Sequence, residues 1–146
     1  MKIIRSNNKL IYQKGIFLAG PTYRSDKPSW REKAIEIFKK YNYNDYLFIP
    51  EPFTGIYKTQ IEWELFYLEQ SKLIMFWVPR ELKELPGFTT NVEFGMYFKS
   101  NKVIYGRPDN ADKIRYLDYI YNKYNDNKIQ NTLEATIKLT LENYDN

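Results

Sequence analysis

Lys72-Leu73-Ile74-Met75-Phe76-Trp77-Val78 is the stretch that decides the fold. Six apolar residues follow one lysine, with none of the alternation of a strand that shows one face to water. Such a run suits a strand covered on both faces, as in parallel sheets flanked by helices. Residues 58–71 before it read as a helix, with Ile61, Leu65 and Leu68 on one face. After it come a loop at 79–90, a helix at 91–100 and a strand at 102–105. Towards the N-terminus, 15–21 is a buried strand stopped by Gly20-Pro21, and 46–50 is a second strand. Between them 28–41 reads as a helix, with Ser25 or Asp26 as its cap, Pro28 in its first turn and Ala34, Ile35 and Phe38 facing inward. Residues 111–124 and 129–143 are two further helices. This alternation predicts an α/β fold with a parallel sheet and right-handed crossovers. Ligands of such sheets bind beyond the carboxyl ends of the strands, here at the loops 20–27, 50–57 and 79–90.

Composition narrows the chemistry. The 146 residues fit one domain, 1–146, and contain neither histidine nor cysteine. Disulfides, thiolate ligands and thiol nucleophiles are excluded, so catalysis would have to run on carboxylates, hydroxyls, lysine or a metal. No tight Asp/Glu cluster has metal-ligand spacing, so no metal and no cofactor are expected. No apolar run reaches a membrane-spanning length and the first eight residues lack a secretory core, which together fit a cytoplasmic protein with no membrane partner. The net charge of +4 is scattered rather than gathered into a basic stripe, which argues against a nucleic-acid polymer as partner.

Two carboxylates stand out. In Thr89-Thr90-Asn91-Val92-Glu93-Phe94-Gly95, Asn91 is a good helix cap. Glu93 would then lie in the first turn, where the helix dipole favours the ionised form and suits a nucleophile. Gly95 would allow close approach of a ligand or strand. The same residues also read as a capped helix start with no chemistry. Glu64 falls at the margin of the apolar face of the 58–71 helix, where partial burial raises a carboxyl pKa and suits a general acid. It equally suits a residue reaching back to water or pairing with a lysine. Gly20-Pro21-Thr22-Tyr23-Arg24 is neither a Walker motif nor a dinucleotide fingerprint, yet Thr22, Tyr23 and Arg24 offer hydrogen bonds or charge to a sugar or phosphate. Trp30 and Trp63 are either core residues or the walls of a base pocket. Arg107 reads as an ion-pair partner or a ligand contact, the first being preferred.

Taken together, Phe17-Leu18-Ala19-Gly20-Pro21, Trp63-Glu64, the 72–79 run, Thr90-Asn91-Val92-Glu93-Phe94-Gly95 and Gly106-Arg107-Pro108 resemble the nucleoside 2-deoxyribosyltransferase-like family over about residues 15–118. The resemblance implies a flavodoxin-like, five-stranded parallel sheet flanked by helices, here with extra C-terminal helices. It implies transfer of a 2-deoxyribosyl group between nucleobases with retention. Glu93 matches the family nucleophile. Glu64 matches a second carboxylate that is commonly aspartate in relatives. Gly20, Pro21, Thr22, Arg24, Trp63, Thr89, Thr90 and Asn91 are the implied substrate contacts. Many relatives carry a polar or acidic residue six positions before the nucleophile. This chain has Gly87 there, and a shifted loop would bring Thr89 or Thr90 into its place. The implied partners are a deoxynucleoside or deoxynucleotide, a free nucleobase and further copies of the chain, because relatives complete their sites with a neighbouring subunit. Two other activities fit the same residues. One is a glycosidase or transferase acting on deoxynucleoside 5'-monophosphates; the other is a nucleotide-binding module without catalysis.

Overall fold

The computed structural model describes residues 1–53 and 55–146, so Thr54, inside the loop read at 50–57, lies outside it. The elements run β1 (Lys2–Arg5), β2 (Gly15–Ala19), α1 (Trp30–Lys40), β3 (Tyr46–Ile49), α2 (Tyr57–Gln70), β4 (Leu73–Trp77), α3 (Phe88–Tyr97), β5 (Val103–Gly106), α4 (Arg115–Tyr124) and α5 (Leu133–Tyr144). The strands form one sheet in the order β1-β3-β2-β4-β5, and every pairing is parallel. The central strands β2 and β4 are buried along their whole length. That burial is what their unbroken apolar runs require. One core layer lies between the sheet and α1 with α5, built from Ala34, Ile35, Phe38, Ile137 and Tyr144. The other holds Trp63, Tyr67, Phe94, Leu117 and Tyr121 of α2, α3 and α4. Among the described residues no helix is long and apolar enough to cross a membrane.

The β3-β2-β4-β5 part of the sheet has flavodoxin-like order, and the family expectation of five parallel strands is met. The fifth strand, however, comes from the N-terminus. Lys2-Ile3-Ile4-Arg5 has only two apolar residues between charges, too short a signal to read alone. Pairing with β3, Ile3 opposite Leu47 and Ile4 opposite Phe48, makes it a strand. Its flanking Lys2 and Arg5 are residue types that protect an edge from further pairing. At the opposite edge the chain after α4 contributes a single parallel bridge, Gly106 to Gln130, closed by Arg107 N–H to the Gln130 carbonyl at 2.9 Å. This bridge explains why the last helix begins at Leu133 rather than at residue 129, with Thr132 Oγ1 accepting from the Ala135 N–H.

Other boundaries shift for equally local reasons. Ser29, not Ser25 or Asp26, caps α1, its Oγ accepting from the Arg31 N–H at 3.1 Å, so Pro28 lies outside the helix. Helix α4 begins at Arg115 rather than 111. In α2 the inner stripe is Gln60, Trp63, Glu64, Tyr67 and Leu68, while Ile61 and Leu65 are 37% and 44% exposed. The two aromatic rings offer more area to the core than the aliphatic pair, and they turn the helix accordingly. The far end of α2 is closed by Lys102, whose Nζ donates to the carbonyls of Leu68 and Glu69 at 2.7 and 2.8 Å.

Candidate active site

Close backbone approach shapes the carboxyl ends of β2 and β4. Gly20, at φ +150°, sits so near β4 that a Cβ there would stand 2.1 Å from the Trp77 carbonyl oxygen. Only glycine fits. Pro21 is buried beside Gly87, and its carbonyl accepts from Trp30 Nε1 at 2.9 Å. The loop after β4 forms a small turn in which Glu81 and Leu85 exchange backbone hydrogen bonds. The Arg24 N–H reaches the Glu84 carbonyl at 3.1 Å and ties this loop to the one after β2.

Gly87 then adopts φ +65° and leads into α3, which starts at Phe88. The expectation of Asn91 as a cap is therefore overturned: Asn91 is inside the helix, and its Oδ1 accepts a hydrogen bond from Arg80 Nη2. Thr89 and Thr90 occupy the first turn, Thr89 exposed and Thr90 buried. Glu93 consequently lies in the second turn, beyond the strongest reach of the helix dipole. No strand approaches Gly95, where a Cβ would meet no other atom of the described chain within 4 Å.

Burial sets the state of Glu93. The residue is 6% exposed, and desolvation together with the nearby Glu64 charge pushes its carboxyl up to about 8. Glu64 is also raised, chiefly by burial, against the opposing effects of Gln60 and Arg31. Each carboxyl affects the titration of the other, the Glu64 charge adding to the rise at Glu93. Two buried carboxyls that repel in their charged forms do not both ionise readily, and Glu93 is pushed up to about 8. Glu93 is therefore not placed at a helix start that would favour its ionised form, and burial with Glu64 nearby favours the protonated form instead.

Three residues that the sequence did not single out hold this pair. Arg31 is 1% exposed and donates to Glu51 Oε2 at 2.7 Å, to Thr22 Oγ1 at 2.9 Å and to the carbonyls of Leu18 and Gly20 at 3.0 and 2.7 Å. Burial lowers its pKa, countered by Glu51, and its charge favours the ionised forms of both Glu64 and Glu93. Glu51 also accepts from Ser29 Oγ at 2.9 Å. Gln60, 5% exposed, donates through Nε2 to Glu64 Oε2 at 2.9 Å and to the Pro50 carbonyl at 3.2 Å. A signal did exist for two of them. Arg31 precedes Ala34, Ile35 and Phe38 at helical spacing, and Gln60 precedes Trp63, Glu64 and Tyr67 likewise. A polar residue in register with an apolar stripe is buried with it.

Of the remaining expected contacts, Gly20, Pro21 and Thr22 gather around Arg31 and Trp30, with Thr22 itself exposed. Arg24 is exposed. Trp63 is 2% exposed and packs in the core against Tyr67 and Phe17, ring centroids 4.6 and 6.0 Å away. Arg107 is an ion-pair residue, bound to Asp118 at 2.8 Å beside the Tyr105 hydroxyl.

Comparison with curated proteins gives no match. Residues 13–111, spanning β2 to β5 and both carboxyls, match the family described as nucleoside 2-deoxyribosyltransferase like. With well over half of its length matched, the chain belongs to the nucleoside 2-deoxyribosyltransferase-like family.

Proposed function

We propose that the protein transfers a 2-deoxyribosyl group from one nucleobase to another with retention, through an ester between C1' and Glu93. The observation that carries this reading is the burial of Glu93 close to Glu64, which raises both carboxyls above their ordinary range and favours one acid beside one carboxylate. A retaining N-glycosyl transfer needs one carboxylate to attack and one proton for the departing base, and such a pair supplies both. As a Glu93 oxygen bonds to C1', the C1'–N bond breaks with its electrons on the base, and the proton reaches the base through Glu64. A second base, losing a proton back to Glu64, then attacks C1' from the vacated face and displaces Glu93. Arg31, fixed by Glu51, supports the ionised form of the pair at its resting charge of one.

Incubation with a deoxynucleoside, with and without an acceptor base, tests the reading. A new nucleoside formed only with acceptor supports transfer. Free base released equally without acceptor makes the protein a hydrolase. Full turnover by Glu93→Ala refutes the covalent route. A deoxynucleoside 5'-monophosphate is the second substrate to try, because Arg24 makes no ion pair among the described residues and is exposed beside the loops at the strand ends.

We further propose that two copies pack through α2 and α3. Tyr57, Ile61 and Leu65 of α2 and Phe88, Val92 and Met96 of α3 are all exposed, on the helices that carry Glu64 and Glu93. Exposed apolar groups on the two helices that carry the carboxyls suit an interface, as the resemblance to a family whose members complete their sites with a neighbour implies. Sedimentation of the pure protein decides it, a monomer at micromolar concentration being the refuting result.

A further inference from the structure

Gln60 stands in an unusual position for a buried amide. It is one helical turn before Glu64, 5% exposed, and both hydrogens of its Nε2 are engaged, one by the Pro50 carbonyl and one by Glu64 Oε2. A backbone carbonyl only accepts, so it holds the amide with nitrogen towards Pro50 and Glu64. Turning the amide over would set Oε1 against the Pro50 oxygen. Among the described residues Gln60 Oε1 has no partner. Gln60 is therefore locked as a donor to Glu64, and a donor stabilises a carboxylate in preference to a carboxylic acid.

We propose that Gln60 is a positioning residue that sets which of the two carboxyls holds their shared proton: by donating to Glu64 it keeps Glu64 the carboxylate and puts the proton on Glu93 before substrate binds. The other charged and titratable groups facing the pair do not make this choice. Arg31 from α1 favours ionisation of both carboxyls, Glu51 after β3 is paired to Arg31, and Tyr97 one turn along α3 is hydrogen-bonded to Glu69. The directions of the pKa shifts agree, Gln60 opposing the rise at Glu64 while the Glu64 charge adds to the rise at Glu93.

The consequence for catalysis rests on the proposed transfer reaction. The nucleophile is capped by its own proton until a base is present to take it. The Glu93 O–H bond then breaks as a Glu64 O–H bond forms. That bond breaks in turn as the base gains N–H and C1' leaves it for the freed Glu93 oxygen. Overall, Glu93-COOH, Glu64-COO⁻ and nucleoside become the Glu93 ester, Glu64-COO⁻ and protonated base, so atoms and charge balance.

The test needs no substrate. Protein carrying 13C-labelled glutamate side chains is titrated by NMR, the two carboxyl signals being assigned with Glu93→Gln and Glu64→Gln. In the wild type the Glu93 signal should titrate at higher pH than Glu64. In Gln60→Met, which keeps the shape but donates nothing, the ratio of the two protonated forms should move about tenfold towards Glu64, the weight of one charge-assisted hydrogen bond. A wild type in which Glu64 is the last to titrate overturns the proposal, with no variant required. So does a Gln60→Met protein, folded by its melting curve, whose two titrations match the wild type. Should the predicted titrations be found in a protein that moves no deoxyribosyl group, proton placement stands and the proposed function falls. If activity exists, the acid limb of the kcat/KM profile shifts in Gln60→Met, which a merely structural loss would not cause.

Discussion

Glu93→Gln should remove activity and make the protein more stable, by a margin that is absent near pH 4.5 and grows until about pH 8. Because Glu93 is buried against Glu64, the native state holds its proton to about pH 8, whereas the unfolded chain releases it near 4.5. Between those values the native state binds more protons than the unfolded state, so stability falls as pH rises through the window. At ~1.4 kcal/mol per pH unit the loss has a ceiling of ~5 kcal/mol, which Glu64 and Glu93 share as a coupled pair. Glutamine keeps the volume and a donor towards Glu64 while removing the second buried charge. The variant and the wild type should therefore melt together near pH 5. Near pH 9 the variant should melt higher, by about 5–10 °C if a few kcal/mol are recovered in a chain of this size. Thermal melts at both pH values, with urea curves for free energies, measure the difference. An equal difference at pH 5 and pH 9 would falsify the shared-proton pair, since a change in packing alone has no reason to follow pH. The same outcome would remove the physical basis of the proposed reaction.

Arg31→Met should cost about 3–5 kcal/mol in urea unfolding, because it leaves Glu51 buried without its partner, and it should raise the pH at which the carboxyl pair ionises. Lys102→Met should cost about 1–2 kcal/mol by baring the last carbonyls of α2, with turnover per folded molecule unchanged because Lys102 bonds to neither carboxyl. Gly20→Ala should fail to yield a native circular-dichroism spectrum or melt many degrees lower, as its methyl has no room beside the Trp77 carbonyl; wild-type stability would refute that close approach. Leu65→Arg should shift the sedimentation of the protein from dimer to monomer while leaving its helix content intact.

The central sheet was legible because its strands are apolar end to end and its turns are marked by Gly-Pro and Pro. Glu64 and Glu93 were legible as a site through the order and spacing of motifs, not through their local chemistry. The local argument for Glu93 rested on Asn91 as a cap, and that failed because Gly87, in a left-handed conformation, starts the helix four residues earlier. A lone Gly after Pro86 does not announce such a start. Helix α2 misled for a different reason: Ile61 and Leu65 make a clean helical stripe, but Trp63 and Tyr67 make a competing one. The larger rings take the core. That competition turns Glu64 inward and Leu65 outward, so the error about one face was also the loss of Gln60. Strand β1 was illegible because four residues carry too little pattern, and only β3 beside them defines a strand.

Strand β1 carries no residue with chemistry, yet its exit is fastened at two points. Arg5 lies opposite Ile49 at the end of β3 and bridges to Glu32 in the first turn of α1 at 3.2 Å, and the next residue, Ser6, donates its hydroxyl to the Pro52 carbonyl. Those are the two segments that bear Glu51 and Arg31. An edge strand thus acts as a brace between the halves of a buried ion pair, so the tuning of the Glu64 and Glu93 carboxyls extends mechanically to a part of the chain outside the region matched by the family. Substitutions at Arg5 or Ser6 should be felt first as a change in the pH dependence of the site, before any loss of the sheet.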